Sequence, residues 1–271
     1  MPLFQKEGTL EMKNPRTHGN EPYAVAVIHG GPGAAGQMQS VAKELSSKYG
    51  ILEPFQTALS LNGQIQELHL ILEKYGTAPL ILIGHSWGAW LVFLYAARYP
   101  VSVKKIIMVG SGPFEHRYVS QILETRLRRL NEQEKKQWNT LINNLDNPQI
   151  HEKNKLFSLL GTLAMKTDSY DPLVSSINGI EYRYDIYQEV WAEAERARRN
   201  GTLLSQGKQI NCPVVAIHGE YDPHPFAGVK EPLTAVLRPF KFILLKKCGH
   251  YPWIEKEAQH HFYKIIYDEI Q

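Results

Sequence analysis

Leu80-Ile81-Leu82-Ile83-Gly84-His85-Ser86-Trp87-Gly88 is the stretch on which the reading of this chain turns. Its four leading residues form a continuous apolar run, the texture of a strand buried on both faces in a parallel sheet. The run ends at Gly84. After Ser86, Leu91, Leu94, Tyr95 and Arg98 recur at helical spacing as far as Pro100. A serine therefore sits in a tight strand-to-helix turn with glycines two before and two after it. Such a turn strains the serine outward, clear of its neighbours, as a hydroxyl must be to act as a nucleophile. The plainer reading is an ordinary exposed serine at a strand-helix junction; the predicted flanks favour the nucleophile.

Working outward, a buried strand over Tyr23–His29 runs into Gly30-Gly31-Pro32-Gly33, and a helix is expected from about Gln37 to Lys48, stopped by Gly50. Ile65, Leu68, Ile71 and Leu72 predict a helix over Gln64–Tyr75. A second buried strand, Lys105–Val109, closes at Gly110-Ser111-Gly112-Pro113. From about Phe114 to Lys208 strand signals vanish and charge rises. There Asn131 with Glu134 reads as a capping pair, and Gly201 follows a run of Ala, Glu and Arg. Strands resume over Pro213–His218 and Phe240–Leu245, and an amphipathic helix is expected over Glu255–Ile270. The class is α/β, a parallel sheet flanked by helices. Residues 1–113 and 209–271 form its two parts, and 114–208 form an inserted helical lid.

The 271 residues, 43% of them apolar, suffice for one such core with an insertion. A net charge of +3 with interspersed signs offers no basic stripe for a nucleic acid. Arg126, Arg128 and Arg129 are interrupted by Leu127 and Leu130 and read as a solvated helix face. No run of about 18 apolar residues could span a bilayer, and Met1–Gly8 lacks a leader pattern, so the expected location is cytoplasmic. The two cysteines, Cys212 and Cys248, are expected as reduced, partly buried thiols, and their spacing excludes a cysteine metal site.

Acyl transfer needs more than a nucleophile. It needs backbone donors for the developing oxyanion, a base, and an acid to orient the base. The glycine turn after the first strand lets backbone N–H groups approach a substrate, so the amides of Gly31 and Trp87 are the expected donors, with Gly30 as alternative to Gly31. The strand ending at His218 leads to Gly219-Glu220-Tyr221-Asp222, and the one ending at Leu245 leads to Lys246-Lys247-Cys248-Gly249-His250. Catalytic groups gather at the carboxyl ends of parallel strands, which makes Asp222 the acid and His250 the base, with Glu220 a weaker acid. His29, His85 and His218 suit packing or local hydrogen bonding. His224, between Pro223 and Pro225, is a candidate substrate contact as well as plain loop structure. Trp90, with Tyr182, Tyr184, Tyr187 and Trp191, could line an apolar pocket, although aromatics at helical spacing are usually core.

On His29-Gly30-Gly31-Pro32-Gly33, the serine turn with Trp87, Gly219 through Asp222, and Gly249-His250 with Pro252-Trp253, the chain resembles the α/β-hydrolase superfamily. Within it, the chain is similar to the branch of proline iminopeptidases and related lid-bearing hydrolases. The resemblance implies a mostly parallel eight-stranded sheet, no cofactor, and a substrate pocket between core and lid. Iminopeptidases carry an Asp-Gln/Arg-Arg-Gly-x-Gly-x-Ser stretch where this chain has Ile51–Leu61 without such glycines. Their lid glutamates hold a substrate's amino group. Glu181 is the candidate here, with surface solvation the plainer explanation. The expected function is hydrolysis of a small-molecule ester or related carbonyl substrate. An iminopeptidase-like aminopeptidase is the alternative, and a slow-turnover or ligand-binding sensor is the alternative of another class.

Overall fold

The computed structural model describes residues 14–271. In chain order the elements are β1 Arg16–His18, β2 Val25–Ile28, β3 Ala34–Ala35, α1 Gln39–Leu45, β4 Ile51–Glu53, α2 Leu61–Tyr75, β5 Leu80–His85, α3 Trp87–Arg98 and β6 Val103–Val109. Next come α4 Ser120–Arg129, α5 Glu132–Asp146, α6 Lys153–Asp168, β7 Glu181–Tyr182, α7 Tyr184–Arg199 and α8 Thr202–Ser205. The chain closes with β8 Val214–Gly219, α9 Ala227–Val236, β9 Phe240–Leu245 and α10 Gln259–Ile270.

Among the described residues the main sheet has seven strands in the order β1-β4-β2-β5-β6-β8-β9, against the eight expected. All neighbours pair in parallel except the edge strand β1, antiparallel to β4. Alternate strand residues feed opposite faces. Ala26, Ile28, Leu82, Ile106 and Met108 pack toward α2, α3 and α9. Val25, Val27, Ile81, Ile83 and Ile107 pack toward α1 and α10. Every residue of α3 except Arg98 is buried, which explains why this helix is apolar all round. The chain steps from β2 outward to β4 and then returns to β5 on the other side of β2. The loops after β2 and β5 thus splay apart at a switch in strand order, where open α/β sheets form their crevice.

The insertion between β6 and β8 holds five helices. The capping box at Asn131 and Glu134 is present at the start of α5, and Gly201 adopts φ 78° just past α7. The insertion is also tied to the glycine-rich turn. β3 pairs antiparallel with β7, Ala34 opposite Tyr182, and the Arg183 N–H donates to the Gly33 carbonyl at 2.8 Å.

Three departures from the sequence expectations have local causes. The strands β1 and β4 carry too little apolar signal to be read, because β4 ends in the buried Glu53. Its carboxylate accepts from Arg16 Nη1 at 3.1 Å and lies 2.9 Å from His18 Nε2, so the buried charge is compensated. The last helix starts at Gln259 instead of Glu255. The Glu255 carboxylate is buried and accepts from the backbone N–H groups of Tyr170, Asp171 and Gly249 at 2.7–2.8 Å, pinning two loops. The first helix starts at Gln39, since Gln37 is engaged below the glycine turn. Cys212 and Cys248 are free and buried. No helix among the described residues is long and apolar enough to cross a membrane.

Candidate active site

At the end of β5 the backbone turns within one residue. Ser86 adopts φ 54° and ψ −111°, a conformation that costs a side-chain-bearing residue free energy and persists only where the surroundings impose it. They do so here. The Ser86 N–H donates to the Val109 carbonyl of β6 at 2.9 Å, and α3 begins at the next residue. The glycines of the turn are required by contact: a Cβ on Gly84 would lie 2.2 Å from the Gly88 carbonyl oxygen, and one on Gly88 2.5 Å from those of Ile28 and His29. Strand β5 and helix α3 therefore approach each other and β2 more closely than any side chain allows.

The glycine-rich turn after β2 lies beside this serine. Its Gly30 N–H is already used, donating to Gln37 Oε1 at 2.9 Å. The same oxygen is 3.0 Å from His85 Nδ1, while His85 Nε2 is 3.0 Å from the His250 carbonyl. His85 thus faces two acceptors, and burial, reinforced by His250, lowers its pKa well below the ordinary imidazole value. A neutral ring donates to one of them at a time. Among the described residues neither the Gly31 nor the Trp87 N–H has a hydrogen-bond acceptor. Trp87 is the first residue of α3, where no preceding turn supplies one.

Asp222 and His250 reach the same crevice from the loops after β8 and β9. The two oxygens of Asp222 are divided between two histidines. Oδ2 accepts from His250 Nδ1 at 2.7 Å, and Oδ1 accepts from His224 Nδ1 at 2.7 Å and from the His224 backbone N–H at 2.9 Å. A third imidazole, His218, stands 3.6 Å from Oδ2 and donates from Nε2 to the His224 carbonyl at 2.8 Å. Burial alone would raise the Asp222 pKa, but these three imidazoles outweigh it and hold the carboxyl well below its usual range. The rings of His224 and His250 stack at 4.5 Å. The ligand atoms of Asp222, His224 and His250 lie within 4.8 Å of one another, near enough for one divalent ion to bridge. Nδ1 of each of the two rings is nonetheless at ordinary hydrogen-bond distance from the carboxylate, so the group is satisfied by N–H donors.

A cavity of about 370 Å³, within the range of small-molecule sites, opens over these residues. Gly31, Ser86, Trp87, His224 and His250 are among its lining residues, and the insertion supplies Trp138, Phe157, Tyr182, Tyr187, Trp191 and Arg126. A larger surface groove of about 1190 Å³ between α1 and α10 contains none of Ser86, Asp222 and His250.

Of the sequence candidates, Ser86, His250, His224, Gly31 and Trp87 meet at this cavity, with Asp222 behind the two histidines. Trp90 does not reach it. That residue is buried in the core, donates to the Gly112 carbonyl at 3.0 Å and stacks under Trp191, which takes the place on the wall expected of it. Glu181 is exposed in β7 and is not among the residues lining the cavity. Three further residues of the site lie outside the sequence candidates. Gln37 is expected to open a helix but supports the glycine turn instead, and its position just past that turn is the sequence signal for this role. Asp168 accepts the His250 N–H on its main-chain carbonyl at 2.7 Å, a contact no side chain advertises. Arg126 is expected on a solvated helix face, yet its guanidinium is paired inside with Asp168.

The site has a consequence for stability. Burial lowers the pKa of His29, His85, His218 and His224 below the value of 6.5 that applies in an unfolded chain, for His224 to about 4. Below pH 6.5 the unfolded chain therefore takes up protons that the folded chain refuses, and stability is lost as pH falls from 6.5 toward 4. The depressed Asp222 works the same way at lower pH, below about 3.8. The melting temperature should drop by on the order of 5 °C between pH 7.5 and 5. Scanning calorimetry across that range tests this, and an unchanged melting temperature contradicts it.

A model of the α/β-hydrolase fold family matches residues 23–257. The chain is 22% identical over 262 residues to a proline iminopeptidase of Heyndrickxia coagulans, covering 87% of each chain. It is 30% identical over 98 residues to a monoacylglycerol lipase of Mycolicibacterium smegmatis, covering 36% of this chain and 31% of the lipase. Among solved structures it is similar to VinJ, with a TM-score of 0.66 at 16% identity over 94% of this chain and 93% of that one.

Proposed function

The chain is a hydrolase of the α/β-hydrolase fold family, and on that premise we propose that it cleaves a small-molecule ester or related carbonyl substrate through Ser86, His250 and Asp222. The observation that carries this reading is the strained Ser86 opening on the same cavity as His250, whose Nδ1 is bound to Asp222. With Nδ1–H given to the carboxylate, Nε2 of His250 is free to take the Ser86 proton as Oγ attacks the carbonyl carbon. The oxyanion then rests on the amides of Gly31 and Trp87, since the Gly30 amide is spent on Gln37. His250 returns the proton to the leaving group. Water then repeats the sequence and releases the acid. The inserted segment 114–208 serves as the lid, supplying most of the apolar wall of the cavity.

The second reading, an aminopeptidase acting on free amino termini, draws on the similarity to proline iminopeptidases along most of both chains. An ammonium group in a low-dielectric pocket needs an anionic partner. No Asp or Glu is among the residues lining the cavity, and Glu181 faces solvent, which favours the ester. Hydrolysis of a short-chain nitrophenyl ester should be measured beside prolyl and alanyl nitroanilides, with Ser86→Ala as background. Ester turnover without anilide turnover is the expected result. Efficient anilide cleavage transfers the assignment to the aminopeptidase, and an acylation burst with no steady turnover transfers it to a sensor.

A further inference from the structure

The cavity holds one permanent cation and no permanent anion among its lining residues. That cation is Arg126, on helix α4 of the insertion. Its Nε donates to both oxygens of Asp168, at 2.9 and 3.2 Å, and its Nη2 donates to Oδ2. Asp168 is itself fixed. It is fully buried, accepts from Thr167 Oγ1 at 2.8 Å, and holds the backbone N–H of His250 on its main-chain carbonyl. The guanidinium plane is therefore locked from one side, in register with the loop that carries the base. Every hydrogen bond of Arg126 among the described residues leaves from Nε or Nη2. The Nη1 end of the fork has no partner there, and the residue stands in the cavity wall with His224 and Tyr251.

A guanidinium held this way is pre-organised: its plane is fixed by Asp168 before a ligand arrives, so little rotamer entropy is lost on binding. In a cavity walled mostly by aromatic and aliphatic groups, with Gln37, Ser158, Thr162 and Ser176 as uncharged polar neighbours, its remaining donors would be the strongest polar feature a substrate meets away from Ser86 and the histidines. Their natural complement is a planar anion. Resting on the esterase reading above, we propose that Arg126 recognises a carboxylate carried by the substrate, so that the physiological substrates are esters bearing a free carboxylate away from the scissile bond. The carboxylate takes no part in bond making. It lies against Nη1 while Ser86 attacks the ester carbonyl.

A clasp between α4 and α6 would also need the Arg126–Asp168 pair, so the test must read charge preference and not activity alone. Two substrate pairs do so: mono(4-nitrophenyl) adipate against 4-nitrophenyl hexanoate, with the carboxylate on the acyl side, and 3-carboxy-4-nitrophenyl butyrate against 4-nitrophenyl butyrate, with it on the leaving group. For each, kcat/KM is measured on the full chain as wild type, Arg126→Gln and Arg126→Lys, with Ser86→Ala as background. Comparing the charged-to-neutral ratio between variants cancels intrinsic ester reactivity. The expected result is a ratio that falls about ten- to hundredfold in Arg126→Gln for at least one pair, mostly through KM, with Arg126→Lys intermediate. Ratios equal in wild type and Arg126→Gln overturn the proposal while leaving the esterase reading intact. If Arg126→Gln does not fold, the Arg126→Lys ratio decides in its place, because a point charge cannot reproduce the fork. Absence of Ser86-dependent cleavage of all four esters overturns the esterase reading, and this assignment with it.

Discussion

Ser86→Ala is expected to lower kcat for a nitrophenyl ester by on the order of a million-fold, the loss that follows when the nucleophile is taken from a serine-histidine-acid unit. The residual rate should come from the cavity and the oxyanion donors, which the substitution leaves in place. Turnover within tenfold of wild type would remove Ser86 from the mechanism. The variant also separates chemistry from strain. Alanine at φ 54° is as strained as serine, so Ser86→Ala should unfold at nearly the wild-type temperature. Ser86→Gly, equally inactive, should be more stable than Ser86→Ala by about 1 kcal/mol, because glycine alone adopts that conformation without cost.

The second large effect is expected from Asp222→Asn, at about ten-thousandfold in kcat with little change in fold. The direction follows from how the two carboxylate oxygens are shared. Oδ1 faces two donors, the His224 ring and the His224 backbone N–H, whereas Oδ2 faces one, the ring of His250. An asparagine must place its single oxygen where the donors are most numerous, at His224, and its NH2 then points at His250. The His250 ring can accept that NH2 only by carrying its proton on Nε2, the nitrogen that must be bare to take the proton of Ser86. The variant should therefore keep its geometry and lose its base. Rate measurement with the ring proton shifts of His250 read by NMR tests the cause as well as the size. An unchanged tautomer with a large rate loss would locate the defect elsewhere.

The parts of this molecule that the sequence announces are those in which a local pattern and a local structure coincide. A continuous apolar run followed by a glycine-flanked serine can fold in few ways, and β5, the turn and α3 fall where the residues place them. The same holds for β9, read to the residue at both ends, and for the capping box of α5. What escaped was set by distant partners. β4 exists because β2 and β1 pair with it, and Glu53 in its last position is tolerable only beside Arg16 and His18. Glu255 looks like a helix residue by composition, but three backbone donors from two loops claim it. Arg126 resembles one of several surface arginines in sequence because its partner, Asp168, lies at the far end of α6. At the site what was legible is the placement of Ser86, Asp222 and His250 just after β5, β8 and β9. The division of Asp222 between two histidines, and the commitment of the Gly30 amide to Gln37, depend on side-chain contacts that no spacing encodes.

The pairing of β3 with β7 bears on how this protein could be re-engineered. Insertions between β6 and β8 invite exchange as cassettes, joined at two points in the backbone. Here a third join exists, the two-stranded ladder and the Arg183–Gly33 bond, and it lands on the turn that presents the Gly31 amide. A graft that cuts at 114 and 208 alone would leave Ala34 and Ala35 facing a foreign surface and release that turn from one of its anchors. A chimera that preserves the function must carry residues 33–36 together with the insertion that pairs with them, so the unit of exchange is discontinuous along the chain although contiguous in space.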